Sequence, residues 1–186
     1  MSSGRDTRDR RILVVDDDPD VRSALQMALS YEGWEVDLAD GGEEALAHLE
    51  EAWAGGAVPS VVLLDIKMPG MDGLDVLERI RQMDPGLAIV MISGHGDVPT
   101  AVDAIRRGAD DFLEKPVDGD RLAATLVRVV EREALRAENR RLRSALDEDY
   151  RLLGASRSLR ALVARIEQVA SSDARLLLTG EPGTGK

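Results

Sequence analysis

Cysteine is absent from this 186-residue sequence, which rules out disulfides and thiolate metal sites and fits a reducing compartment. Long apolar runs are also missing. The longest, such as LAIVMI at 87–92, are far shorter than the roughly 20 residues a membrane-spanning helix needs. The opening MSSGRDTRDRR has no apolar stretch behind its charges, so the protein is expected to be soluble and cytoplasmic, with no membrane contact. Positive charge is in deficit too: 24 Lys+Arg against 35 Asp+Glu leave a net charge of −11. Duplex binding is driven largely by basic residues that displace phosphate counterions, so this chain is not expected to hold nucleic acid by itself.

What is present suffices for one full core and the beginning of a second, with 44% apolar and 32% charged residues. Short apolar runs recur with amphipathic stretches between them: ILVV at 12–15, WEVDLA at 34–39, VVLL at 61–64, LAIVMI at 87–92 and DFL at 111–113. Each precedes a turn signal and then a helical pattern. Asp18 with Pro19 reads as the cap and first residue of a helix reaching about Tyr31. Asp40, Asp72, Asp97 and Asp118 are read as the starts of the next four. Strict alternation of strand and helix predicts a parallel sheet covered on both faces. The expected fold class is therefore α/β, a doubly wound five-stranded sheet of the flavodoxin type, order 2-1-3-4-5.

The fifth helix is expected to outrun the domain. From Asp118 to about Leu146 there is no proline and a single early glycine. Leu135, Asn139, Leu142 and Leu146 form a short heptad seam with Asn at an inner position, which predicts pairing of two copies. Residues 121–143 carry seven Arg against three Glu, read as a solvated helix face. Beyond it, residues 156–170 read as an amphipathic helix, RLLLTG at 175–180 as a strand, and GEPGTGK closes the sequence. The expected organisation is a disordered lead at 1–10, a main domain at 11–130, a linker helix at 118–147 and the start of another domain at 148–186.

On the predicted sheet the polar residues converge. Asp16 and Asp17 follow the first strand, Asp65 ends the third, Ser93 follows the fourth and Lys115 follows the fifth, all at carboxyl ends, the edge where open α/β sheets bind ligands. Carboxylates crowded there repel one another unless a cation shares them, and Mg²⁺ suits a few carboxylates with retained water and phosphate oxygens. Lys115 and Ser93 would neutralise and hydrogen-bond a phosphoryl group, and Asp65 is placed to act as its nucleophile. Asp18 is read as a helix cap alone.

These residues resemble a bacterial two-component receiver domain: ILVVDDD, VVLLDIKMPGMDGLDVL, MISGHGD and GADDFLEKP stand in that family's order over residues 11 to about 130. The resemblance implies phosphate transfer from a partner histidine kinase to Asp65. It implies Mg²⁺ held by Asp17, Asp65 and the backbone carbonyl of Lys67, with Asp16 close by or acting through water. It makes Ser93 and Lys115 the phosphoryl contacts and Phe112 the aromatic switch, without a phenolic hydroxyl, and marks Lys115–Pro116 as a candidate cis bond. A phosphorylation-driven change on the face of the fourth helix, fifth strand and fifth helix would alter pairing through the linker.

The remainder resembles the start of the AAA+ ATPase of sigma-54-dependent, enhancer-binding response regulators of the nitrogen-regulation C and X type. GEPGTGK, with Gly180, Gly183, Gly185 and Lys186, fits a phosphate-cradling loop. The helix that should follow that loop and the later ATPase motifs are not in the sequence, so no ATPase activity is expected of it, and contacts to ATP, DNA and sigma-54 RNA polymerase are expected only in longer relatives. Two rival readings are a P-loop nucleotide-binding fragment and a haloacid-type aspartyl-phosphate hydrolase. The latter places its nucleophile after the first strand, whereas the best acceptor here follows the third.

Overall fold

The computed structural model of the protein describes residues 10–94, 98–149 and 156–170. Strands and helices alternate as β1 (Arg11–Val15), α1 (Pro19–Tyr31), β2 (Glu35–Ala39), α2 (Gly42–Gly55), β3 (Val61–Asp65), α3 (Gly73–Met83), β4 (Ala88–Ser93), α4 (Val98–Arg106), β5 (Asp111–Glu114), α5 (Gly119–Asp149) and α6 (Arg157–Ala170). All strand pairs are parallel, in the order β2-β1-β3-β4-β5. The expected doubly wound sheet is the observed one. The chain falls into two compact units, residues 1–140 and 141–186; the sheet lies in the first, and α6 in the second occupies the amphipathic stretch at 156–170. Asp97, the strand expected at 175–180 and the glycine-rich run from Gly180 to Lys186 lie outside the described residues.

The near-continuous apolar runs arise because both faces of the sheet are covered. Successive side chains of a strand point to opposite faces. Leu13, Val15, Val62, Leu64, Ile89 and Met91 therefore pack with residues of α2 and α3 such as Leu49, Leu77 and Ile80. Ile12, Val14, Val61, Leu63, Val90 and Ile92 face the other way and pack with Leu25 and Leu29 of α1 and Leu122, Leu126 and Val129 of α5. Each such side chain contributes about 1.5–3 kcal/mol on full burial, enough collectively to fix register.

The helix starts follow their caps. Asp18 accepts from the N–H groups of Asp20 and Val21, Asp72 from those of Leu74 and Asp75, and Asp118 from that of Arg121 at 2.9 Å. The expected start of the second helix at Asp40 is corrected: the cap is Gly41 and the helix begins at Gly42. Gly41 caps the helix with no side-chain hydrogen bond, and Glu44 Oε2 reaches back past it to accept from the Asp40 N–H at 2.6 Å.

The seven-arginine stretch of α5 is not simply a solvated face. Arg128 pairs with Asp111, and Arg132 and Arg136 reach Asp110 at 2.6 and 3.2 Å. Leu135 and Asn139 of the expected seam are exposed, as is Leu142 in the second unit. Among the described residues no helix is long and apolar enough to cross a membrane.

Candidate functional site

Register alone brings the acids level. Val15 pairs with Leu64 and Asp65 with Ile92, so Asp16, one step past β1, and Asp65, the last residue of β3, emerge side by side where the winding reverses. Ser93 pairs with Glu114, and its carbonyl accepts from the Lys115 N–H at 2.8 Å, which holds Lys115 at the same rim. One carboxylate oxygen each from Asp16, Asp17 and Asp65 lie within 4.8 Å of one another. Asp16 and Asp65 are buried and Asp17 is exposed, so the cluster has a sealed side and an open one.

Lys115 Nζ lies 2.6 Å from Asp16 Oδ2 and 3.0 Å from Asp65 Oδ2. At an effective dielectric of ~20, two like charges at the cluster's spacing repel by about 3–4 kcal/mol, and each lysine contact attracts by about 6 kcal/mol. The ammonium therefore outweighs the Asp16–Asp65 repulsion, but three carboxylates against one ammonium still leave two negative charges. Burial raises the Asp65 carboxyl above its ordinary range, with Lys115 opposing the shift and Asp16 adding to it. Burial also works against the charge on Lys115, but hydrogen bonds and Coulomb attraction from Asp16 and Asp65 prevail, and its pKa rises. Asp16 Oδ1 accepts from the Asp18 N–H at 3.0 Å, while the buried Oδ2 faces the Lys115 ammonium at 2.6 Å. A hard-oxygen donor set carrying two uncompensated charges fits a divalent ion such as Mg²⁺.

The other expected residues are placed as follows. Ser93 is buried at the end of β4. Lys67 stands two residues past Asp65 with an exposed side chain. Phe112, half-buried on β5, packs against the α2/α3 side of the core and borders a groove of about 450 Å³ with Val98, Val102 and Ile105 of α4. Lys115–Pro116 is cis. Gly180, Gly183, Gly185 and Lys186 lie outside the described residues.

Two further residues shape the site and were not singled out in the sequence. Arg22 of α1 donates from Nη1 to the Asp16 carbonyl, joining the first turn of that helix to the acidic loop. Gly73 donates its N–H to the Ile66 carbonyl at 2.8 Å, and a Cβ there would lie 1.9 Å from the Asp65 carbonyl oxygen. The sequence signal for Gly73 was its place directly after the capping Asp72 in MPGMDG; Arg22 had none beyond helical spacing.

Residues 12–127 match the family described as the response regulator receiver domain. The C4-dicarboxylate transport transcriptional regulatory protein DctD of Rhizobium meliloti (strain 1021) is 39% identical over 178 residues, covering 94% of this chain and 38% of that protein. The crystallised receiver domain of NtrX from Brucella abortus is 46% identical, with a TM-score of 0.60, covering 64% of this chain and 98% of that one. NtrX from Brucella abortus in complex with ATP is 41% identical, with a TM-score of 0.67, covering 89% of this chain and 35% of that one. This chain thus spans 38% of the length of the first curated relative it matches.

Proposed function

This chain belongs to the response regulator receiver family, and on that premise we propose that it is the phosphoaccepting switch of a two-component system, charged by a histidine kinase. Asp65 is the acceptor. A carboxylate oxygen attacks the phosphorus of a phosphohistidine, the P–N bond breaks as the P–O bond forms, and the imidazole leaves with the electron pair. Lys115 holds Asp65 beforehand and a phosphoryl oxygen afterwards, since phosphorylation removes the carboxylate charge it now pairs with. Ser93 supplies a hydroxyl donor. Asp16, Asp17, Asp65 and the Lys67 carbonyl would hold Mg²⁺, which supplies charge neutralisation to the transferring group.

On this reading Ser93 moves toward the phosphoryl group, Phe112 follows, and the α4–β5–α5 face repacks. The extension of α5 then changes how two copies pair through Leu135, Asn139, Leu142 and Leu146. Control of a sigma-54-type activator, with contacts to DNA, RNA polymerase and ATP, would be exerted through domains outside these residues. The 11–130 span is proposed as the receiver, 118–147 as the linker and 148–186 as the beginning of an AAA+ domain.

The observation that carries the proposal is Lys115 Nζ lying between two buried carboxylates, within 3.0 Å of both. The test is intact mass after treatment with acetyl phosphate, with and without Mg²⁺. One phosphoryl group should be gained only with the metal and lost in Asp65→Asn; metal-independent labelling, or labelling that survives the substitution, would refute the assignment.

A further inference from the structure

Away from the acidic site, a second cluster of charge gathers at the opposite end of β5. Asp110, immediately before the strand, has a side chain only 8% exposed. Its Oδ2 accepts from the Ile89 N–H at 3.0 Å and from Arg81 Nη2 at 2.9 Å. Arg81, on α3, also donates to the carbonyls of Gly108 and Leu87, so this half of the cluster is locked to the sheet. The other oxygen, Oδ1, accepts from Arg132 Nη2 at 2.6 Å and Arg136 Nη1 at 3.2 Å, and Arg132 also reaches the Asp110 carbonyl at 3.0 Å. Asp111 pairs with Arg128.

Arg128, Arg132 and Arg136 are four residues apart and share one helix face. Among the described residues, the last buried side chain of α5 is Val129. Beyond it, half-buried Val130 still packs against the core, and Arg132 and Arg136 tie the helix to Asp110. Exposed ion pairs usually contribute little because two flexible chains must be ordered. Here the acceptor is buried and already fixed by Arg81, so only the arginines lose freedom, and charge-assisted bonds to a shared carboxylate are strong.

We propose that the Asp110–Asp111 pair is a latch that holds the first turns of the linker beyond Val129 and transmits a shift of β5 to them. The transmission rests on the phosphoacceptor reading above. The same strand carries Phe112 and leads into Lys115, so a change at the acidic rim that moves β5 must either drag the arginines along or release them.

The test compares backbone amide exchange over residues 131–140 in the 186-residue chain and in the double variant Arg132→Gln/Arg136→Gln. That variant leaves Arg81 and Asp110 paired and so preserves the fold. Exchange in this segment should be about tenfold faster in the double variant, and Lys at both positions should restore much of the protection. Acetyl phosphate with Mg²⁺ should change exchange there in the unsubstituted chain and not in the variant, although both are labelled equally. Unaltered exchange in the variant, or a phosphate response that survives in it, overturns the latch. Should the unsubstituted chain take no phosphate, the acceptor reading and the proposed transmission both fall, and the holding role is judged on the first comparison.

Discussion

Replacing Lys115 by Met keeps the length of the side chain and removes the cation. Removing one partner of a buried ion pair costs about 3–5 kcal/mol. Lys115 is 19% exposed, so water can partly take its place and the lower end, about 3 kcal/mol, is expected. For a domain of this size that lowers Tm by about 10–15 °C. The pH dependence follows from the direction of the shifts. The raised pKa of Lys115 means its stabilisation is present at every pH below its ordinary value and is lost only as pH rises through the raised folded one. Between pH 5 and 8 the unsubstituted protein therefore retains it in full. In the variant, Asp65 loses the cation that opposes the effect of its burial, and its folded pKa rises further. An acid raised in the folded state costs stability as pH climbs from about 4 through its folded value. The deficit of the variant should be smallest near pH 5 and largest near pH 8. Melting followed by circular dichroism in EDTA at these pH values measures it. Mg²⁺ should then raise the variant's Tm by more than that of the unsubstituted protein. Superimposable melting curves at pH 8 would show that the carboxylates do not depend on Lys115.

Asp65→Asn should raise Tm near neutral pH and leave it unchanged below about pH 4, because the raised Asp65 carboxyl is costly only when ionised; a pH series of melts checks both limbs. Asp17→Asn, at an exposed position, should abolish Mg²⁺-induced stabilisation while shifting the metal-free Tm by less than about 2 °C, and titration calorimetry with Mg²⁺ would show the loss directly. Gly73→Ala forces a Cβ against the Asp65 carbonyl; it should cost about 2–4 kcal/mol in urea unfolding and slow acetyl-phosphate labelling by about 100-fold, the order expected of a misplacement near 1 Å. Leu63→Ala, fully buried on the α1/α5 face, should cost about 3–4 kcal/mol but leave the labelling rate of folded protein within about twofold, separating packing from chemistry.

Much of this architecture could be read along the chain because a parallel sheet buried on both faces writes each strand as an unbroken apolar run. ILVV, VVLL and LAIVMI could be little else once helical stretches lay between them. The acidic rim was legible for a related reason: strand ends mark one edge of the sheet, so Asp16, Asp65 and Lys115 could be brought together from order alone. Asp40 gave way to Gly41 as the cap: the helix starts one residue later than an acidic cap would set it, and the Asp40 N–H is taken by the Glu44 carboxylate. The partners of Arg128, Arg132 and Arg136 were hidden for a different reason. A stripe of arginines every fourth residue looks the same whether water or a carboxylate faces it, and Asp110 lies 22 residues before Arg132. Arg22 was equally silent, since its acceptor is a main-chain carbonyl, which no residue type betrays.

β5 has only four residues, yet its flanks carry both the lysine of the acidic rim and the aspartate that gathers the arginines of α5. At about 3.3 Å per residue, roughly 17 Å separates Asp110 from Lys115. An extended, hydrogen-bonded strand barely compresses along its length, so it can serve as a pushrod. A displacement that enters at one tip is delivered at the other without passing through the deformable packing of a helix pair.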